Sequence, residues 1–458
     1  CPNSALTKTP GSVEIAFYLK QNVREKPMRN REELFLAENG VNVEGIDREA
    51  LLAVFDEEMA AGLAGRPSSL MMIPSFLSIG QPVRTGTPVV VLDAGGTNLR
   101  AAVVALDAAG RPEISAFRKR SMPGTEGELE AEAFFDAFAE FLMPVIDAAE
   151  TIGFCFSYAA EILPDCDARL IRWSKQIQAP SVEGQRIGAG LKRHLARRGY
   201  TRRIVILNDT VATLLAGRSM GVTHDYSAYV GFILGTGTNT AYVERNARIT
   251  KRTDLDPAGS MVINVESGAF RRVTQSRFDS LMDAETRDPG SYTFEKMISG
   301  AYLGSLGLTV LREARKAGLF QPAAAAAIDA WPSLSNKHLD DFCGGRPASD
   351  NPFLDAVFTA EDRETVVRLA TPLYARAAVL TAVNLASAIL KTGEGRDPAR
   401  PVCVNVDGST YYRTLTADFR NLVGRELAAL LEPRGIAYEL IRVEDSPVIG
   451  AAVAGLMG

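Results

Sequence analysis

The chain has 458 residues, 46% of them hydrophobic and 23% charged, with a formal net charge of −5 from 50 Lys+Arg against 55 Asp+Glu. The length allows one to three domains, the composition excludes a disordered, collagen-like or coiled-coil chain, and the near-balanced charge disfavours nucleic acid or an anionic membrane as main partner. Three histidines (His194, His224, His338) exclude a His-rich metal centre, and five cysteines without a CxxC pair read as reduced thiols of a cytoplasmic protein.

Residues 1–80 read as a helical lead-in, with Ile46, Leu51, Leu52, Phe55, Met59 and Leu63 at helical spacing. No signal-peptide pattern opens the chain, and Cys1 is expected to be a trimmed end, not a processed lipoprotein terminus. At Val89 the texture changes. Val89-Val90-Val91-Leu92 predicts a buried strand, Asp93-Ala94-Gly95-Gly96-Thr97-Asn98 a turn, and Ala101 to Leu106 a second strand. A helix is predicted over 131–149, then strand Ile152–Phe156, a helix near Ile187–Arg197, strand Ile204–Leu207 and a helix from Thr210.

The opening pattern then returns. Tyr229 to Leu234 runs into Gly235-Thr236-Gly237-Thr238-Asn239 and a further strand from Thr240 to Val243, the two turns starting 142 residues apart. A repeat of domain size predicts two related α/β lobes facing one cleft. Strand Met261–Val265, a long helix from about Phe294, an Ala-rich helix near 366–390 and strand Val402–Val406 complete the second half. No uninterrupted apolar run reaches the ~18 residues of a membrane span; 377–390 and 447–457 come nearest.

Several residues have chemistry to offer. Glycine turns expose backbone N–H groups that form an anion nest, and threonine hydroxyls add donors. Neither turn matches a P-loop or a dinucleotide fingerprint, but two at matching places suit a clamp on polyphosphate. Asp93 ends an apolar strand, either as a turn cap or to position Mg2+. Asn208-Asp209-Thr210 follows strand Ile204–Leu207, where open α/β sheets place their sites; the bland role is helix capping. With histidines scarce, Asp209 is the natural general base for a hydroxyl nucleophile. Lys175 is a lone cation between turns. Asn264 and Glu266 share one face by period-two alternation, Glu295 starts a helix, and Asp407-Gly408-Ser409 is a DG turn that would also suit the adenosine end of a nucleotide.

Taken in order, these motifs resemble the eukaryotic-type hexokinases of the actin-like sugar-kinase superfamily. The resemblance runs from about Ser69 onward. Ser69 to Phe76 is similar to the lead-in to the family's first phosphate motif, and Leu92 to Arg100 (LDAGGTNLR) to that motif itself. Gly153 to Tyr158 (GFCFSY) is similar to GFTFSF, Trp173-Ser174-Lys175 to WTK, and Leu207 to Thr213 (LNDTVAT) to VNDTVGT. Gly235 to Asn239 is similar to GTGxN, Phe294 to Gly304 (FEKMISGAYLG) to YEKMISGxYLG, and Val406 to Ser409 falls where the adenosine motif is expected.

The resemblance implies two actin-like (ribonuclease H-like) lobes, each a mixed sheet flanked by helices, around a central cleft. The expected division is a lead-in over 1–80 packed on the large lobe, a small lobe over 81–224 completed by 445–458, and a large lobe over 225–444. It implies ATP-dependent phosphorylation of the 6-hydroxyl of glucose or a similar hexose, the alternative being a catalytically weak hexose sensor. Asp209 would be the base and Lys175 would support the sugar and the developing charge. Ser157, Ser174, Asn208, Asn239, Glu266 and Glu295 would bind sugar hydroxyls. Asp93, Gly95, Gly96, Thr97, Asn98, Arg100, Gly235, Thr236, Gly237, Thr238, Gly408 and Ser409 would hold ATP, with Asp93 placing Mg2+ through water. A cytoplasmic monomer or homodimer with no nucleic-acid or membrane partner is expected.

The chain departs from the family at Ala159 (Pro), Gln176-Ile177 (Gly-Phe), Ser267 (Trp) and Arg271 (Gly), and in Asp445 to Ala452 (DSPVIGAA for a DGSGKGAA-like segment). The first of these border the sugar loop and the last the nucleotide.

Overall fold

Val89–Gly95 is apolar on both faces up to Asp93, so it is stable only as an inner strand, and it lies at the centre of a five-stranded sheet. The computed structural model describes residues 30–173, 177–220 and 224–457. Across that first sheet the order is Pro112–Ser121, Asn98–Leu106, Val89–Gly95, Thr151–Phe156, Arg203–Leu207. Its first two pairings are antiparallel and its last two parallel. The second sheet repeats the scheme: Ser260–Asn264, Thr238–Arg245 and Ala228–Leu234 are antiparallel neighbours, followed by Val402–Asp407 and Tyr438–Ile441 in parallel. A sixth strand, Ile73–Pro74, adds to its antiparallel edge. The expected repeat is thus present as two sheets of one connectivity.

Each sheet has its own core. Helix Ala131–Leu142 packs Phe134, Phe135 and Phe138 behind the first sheet. Helix Arg48–Leu63 lays Leu51, Leu52, Phe55, Met59 and Leu63 into the core of the second, each fully buried side chain of this kind stabilising by about 1.5–3 kcal/mol. Helix Ala360–Thr392 runs through that same core. By length and composition it could cross a membrane, but 89% of its most apolar window is buried inside the fold.

Two predicted helices are shorter than their periodicity suggests. The helix from Ala131 ends at Leu142, just before Pro144, whose ring and missing N–H disfavour continuation. The helix expected from Phe294 is two, Thr293–Ile298 and Leu303–Lys316. Between them Gly300 N donates to Gly235 O (2.9 Å) and Ala301 N to Thr236 O (3.1 Å). These N–H groups brace the second glycine turn instead of continuing a helix.

Helix Asp209–Met220 lies between the sheets. A Cβ on Gly231 would sit 2.5 Å from Thr210 O, and one on Gly450 of helix Ser446–Leu456 would sit 1.8 Å from Ala212 O. Only hydrogen on those α-carbons allows backbones so close, which sets Asp209 at the junction of the two lobes.

Candidate active site

The register across the first sheet brings its site residues to one edge. Asp93 pairs with Cys155 and Cys155 with Leu207 on parallel strands. Asp93, Ser157 and Asn208-Asp209 therefore leave the carboxyl ends of three adjacent strands, the position the alternation of strands and helices leads one to expect. Asn208 Oδ1 accepts from Thr210 N at 2.8 Å and caps the helix, so the capping role considered for this triplet is real. Asp209 is its first residue, where the helix dipole favours a carboxylate. Its side chain is half-buried and takes the Thr210 hydroxyl at 3.3 Å.

The first glycine turn is a tight hairpin, with Gly95 opposite Asn98 and Gly96 at φ 65°. The Tyr158 hydroxyl donates to Gly96 O at 2.6 Å, Met122 N donates to Thr97 O at 2.9 Å, and the Thr97 side chain is exposed. Asp93 is buried behind the turn and pairs with Arg100 at 3.2 Å. Buried between Asp93 and Leu207 in the register, the Cys155 thiol is pushed well above its usual range by burial and then by the Asp93 and Asp209 charges.

The second turn is built differently. Leu234 and Thr238 face each other across Gly235-Thr236-Gly237, and Gly235 N donates to Gly237 O at 2.9 Å. Gly235 O accepts from Gly300 N and from the Thr410 hydroxyl, the latter at 2.8 Å. The register Asp407–Ile233 brings the DG turn alongside: a Cβ on Gly235 would stand 3.5 Å from Gly408 Cα, and one on Gly408, at φ 111°, would stand 2.2 Å from Leu234 O. Thr236 and Ser409 are exposed here, whereas the Thr238 hydroxyl turns inward to Ile233 O at 2.9 Å. Of the hydroxyls expected at this turn, Thr236 and Ser409 thus face outward and Thr238 does not.

The remaining polar residues converge on the other side of the second turn. Asn239 Nδ2 donates to Asn264 Oδ1 (2.7 Å) and Glu266 Oε1 (3.1 Å), and Asn264 Nδ2 donates to Glu266 Oε1 (2.8 Å). Glu295 Oε2 accepts from Thr238 N at 2.9 Å and occupies the space a Cβ on Gly237 would need. Glu266 is half-buried in a left-handed backbone, which costs an L-residue roughly 1–2 kcal/mol. Burial, then the Asp209 charge, raises its carboxyl above the ordinary glutamate range. Asp407 is likewise raised by burial, with Asp209 contributing. Asp209 is therefore the electrostatic neighbour of carboxylates from the second sheet.

Ser174 and Lys175 lie outside the described residues. The flank before them is anchored, since Trp173 N donates to Glu183 Oε1 (2.7 Å) and Trp173 Nε1 to Ala179 O (2.6 Å). Sequence reasoning did not assign Tyr158, Gly300 or Thr410 to the site. Thr410 directly follows the DG turn and Gly300 stands in the FEKMISG motif, so both lay beside signals already in view; the Tyr158 contact is purely tertiary.

Two hexokinase family models match the chain, one over residues 38–219 and the other over residues 229–457. Hexokinase-1 of Oryza sativa subsp. japonica is 31% identical, the match covering 81% of this chain and 81% of that protein. Hexokinase-1 of Nicotiana tabacum is also 31% identical, over 86% of this chain and 84% of its own. A solved hexokinase from Schistosoma mansoni complexed with glucose has a TM-score of 0.75 and 26% identity, covering 93% of this chain and 98% of its own.

Proposed function

The chain belongs to the eukaryotic-type hexokinase family, with its two-lobed actin-like fold, and on that premise we propose that it transfers the γ-phosphoryl group of ATP to the 6-hydroxyl of glucose or a similar hexose. The observation that carries the proposal is the packing of the Asp209 helix N-terminus, at Thr210, on Gly231 in the strand that pairs with the strand of Asn239. This puts Asp209 on the same side of the fold as the Asn239–Asn264–Glu266 cluster beside a glycine turn.

In this reading Asn208, Asn239, Glu266 and Glu295, with Ser157 and Ser174, take the hexose hydroxyls. A site of buried polar groups selects strongly for ligands that satisfy them. Asp209 accepts the proton of the 6-hydroxyl as its oxygen bonds to the γ-phosphorus and the bond to the β-phosphate oxygen breaks, releasing ADP. Such a base is worth roughly 10²–10⁴-fold. Lys175 offsets charge developing on the transferred group. The Gly95-Gly96 turn, the Gly235–Gly237 turn and Gly408-Ser409 hold the triphosphate through backbone N–H groups and the Thr97, Thr236 and Ser409 hydroxyls.

Gly408 fits that task, because a Cβ there would stand 2.2 Å from Leu234 O, so only glycine lets the two turns lie backbone to backbone. Asp93 fits a Mg2+ site, its carboxylate buried behind the first turn, and Mg2+ when bound neutralises charge on the phosphates. Water competes with the sugar as nucleophile, so the lobes are expected to close on hexose before transfer.

An ADP-release assay with Mg-ATP across glucose, fructose, mannose, glucosamine and N-acetylglucosamine, with a no-sugar blank, tests the proposal. Turnover with one or more hexoses above the blank is expected. Absence of turnover while glucose still raises the melting temperature would leave a hexose sensor, and absence of both would remove the hexose reading.

A further inference from the structure

Beneath the sugar-side cluster, out of reach of any ligand, lies a second polar group. Thr240 and Ser267 are fully buried and Asn384 is 2% exposed. The Thr240 and Ser267 hydroxyls are 3.0 Å apart, Asn384 Nδ2 donates to Thr240 Oγ1 at 2.9 Å, and Asn384 Oδ1 lies 3.2 Å from the same hydroxyl. Asn384 Nδ2 also reaches Ser267 Oγ at 3.4 Å. Asn384 comes from helix Ala360–Thr392, where Ala382, Val383, Leu385 and Ala386 around it are all buried and apolar. An apolar residue at 384 would avoid the desolvation cost of an amide in a core.

The backbone of the same residues carries the site. Thr240 N and Ser267 N both donate to Asn239 Oδ1, at 2.7 and 3.3 Å. That fixes the Asn239 amide with its Nδ2 toward Asn264 and Glu266. Thr240 O accepts from Val265 N at 2.9 Å, and Ser267 directly follows the left-handed Glu266. Ser267 stands where the resembling family carries Trp, and the hydroxyl contact at 3.0 Å leaves no room there for an indole.

We infer that Thr240, Ser267 and Asn384 are positioning residues for hexose recognition, holding Asn239 and Glu266 in their binding geometry. This rests on the hexokinase reading. The triad touches no substrate. It ties the core helix to strand Thr238–Arg245 and to the turn Ser267–Ala269 that follows strand Ser260–Asn264, and it keeps Glu266 in a backbone conformation glutamate does not favour.

Glucose calorimetry and steady-state kinetics on wild type, Thr240→Val, Asn384→Leu, their double variant and Thr240→Ser test the inference. Each of the first two substitutions is expected to raise the glucose Kd and KM about tenfold, the loss of one or two net hydrogen bonds. The KM for ATP should stay within about twofold, and the double variant should be no worse than the weaker single, as for groups acting in one network. Thr240→Ser, which keeps the hydroxyl, should bind like wild type. Ser267→Ala carries the same expectation as Thr240→Val should the latter not fold. Unchanged glucose affinity in the single variants, or equal losses in glucose and ATP, would overturn the inference while wild-type turnover leaves the hexokinase reading standing. A wild type that neither binds nor phosphorylates any hexose would overturn both.

Discussion

The two glycine turns occupy the same place in two sheets of the same connectivity, yet they are stabilised by opposite means. The first keeps its charge at home: Asp93 is buried directly behind it and paired with Arg100, and Tyr158 holds the Gly96 carbonyl. The second carries no acid of its own. It is a bare backbone loop braced from outside by Gly300, Ala301 and Thr410, and it borrows a carboxylate, Glu295, from helix Thr293–Ile298. One topological position therefore supports a charged site in one lobe and a braced backbone cradle in the other. A repeat in sequence conserves the backbone path, and the surroundings decide the chemistry.

The sharpest way to break this contrast is to remove the charge from the first turn alone. Asp93→Asn preserves shape and is expected to lower kcat by about 10²–10³-fold, the scale of losing one preorganised electrostatic contact. Glucose affinity by calorimetry should be little changed. A kcat within a few-fold of wild type would mean the first turn needs no charge.

The second turn should fail sterically instead. Gly237→Ala places a Cβ 2.5 Å from Glu295 Oε2, so the carboxylate must swing away from Thr238 N, and hexose KM should rise about tenfold. Gly95→Ala is the control in the first turn, because its Cβ meets Asp93 Oδ1 only at 3.2 Å. Equal effects of the two substitutions on hexose KM would erase the difference between the turns.

The smallest effect is in pH. Burial, with Asp209 adding, raises Glu266, so the folded state binds its proton more tightly than the unfolded chain. Ligand-free stability from this residue then decreases as pH rises from the ordinary glutamate range through the raised value. Hexose binding runs the other way, since the carboxylate accepts from sugar hydroxyls with both oxygens and more strongly than the neutral acid, and KM should climb a few-fold per pH unit below that value. Glu266→Gln should flatten the hexose profile and lessen the acid stabilisation seen by melting temperature, with Asp407, raised in the same sense, supplying the remainder. An unaltered profile in Glu266→Gln would assign the titration elsewhere.

Much of this was legible in the chain itself. Strand, glycine turn and strand are local patterns, and both turns form inside 93–98 and 235–239, though shorter than read: the strands extend through Asp93 to Gly95, resume at Asn98, and begin again at Thr238. Alternation paired Asn264 with Glu266, and the two do meet at 2.8 Å, but through the left-handed backbone of Glu266 beyond the end of strand Ser260–Asn264, not across a shared strand face; Asp209 was marked by following a buried strand. The break after Ile298 was not legible, because the apolar spacing runs on through Leu303 and Leu306; the helix yields to hydrogen bonds with a turn some 60 residues earlier. Edge strand Pro112–Ser121 is exposed along most of its length and so lacks the alternation that reveals a strand. The triad under Glu266 draws on three elements, and only packing brings Asn384 to Ser267.

The most direct test of the account compares Asp209→Asn with wild type by glucose calorimetry and by single-turnover phosphoryl transfer from Mg-ATP. Asn keeps the size of the side chain and removes the base. The account predicts glucose affinity within a few-fold of wild type and transfer slowed by roughly 10²–10⁴-fold. Transfer at the wild-type rate would contradict it.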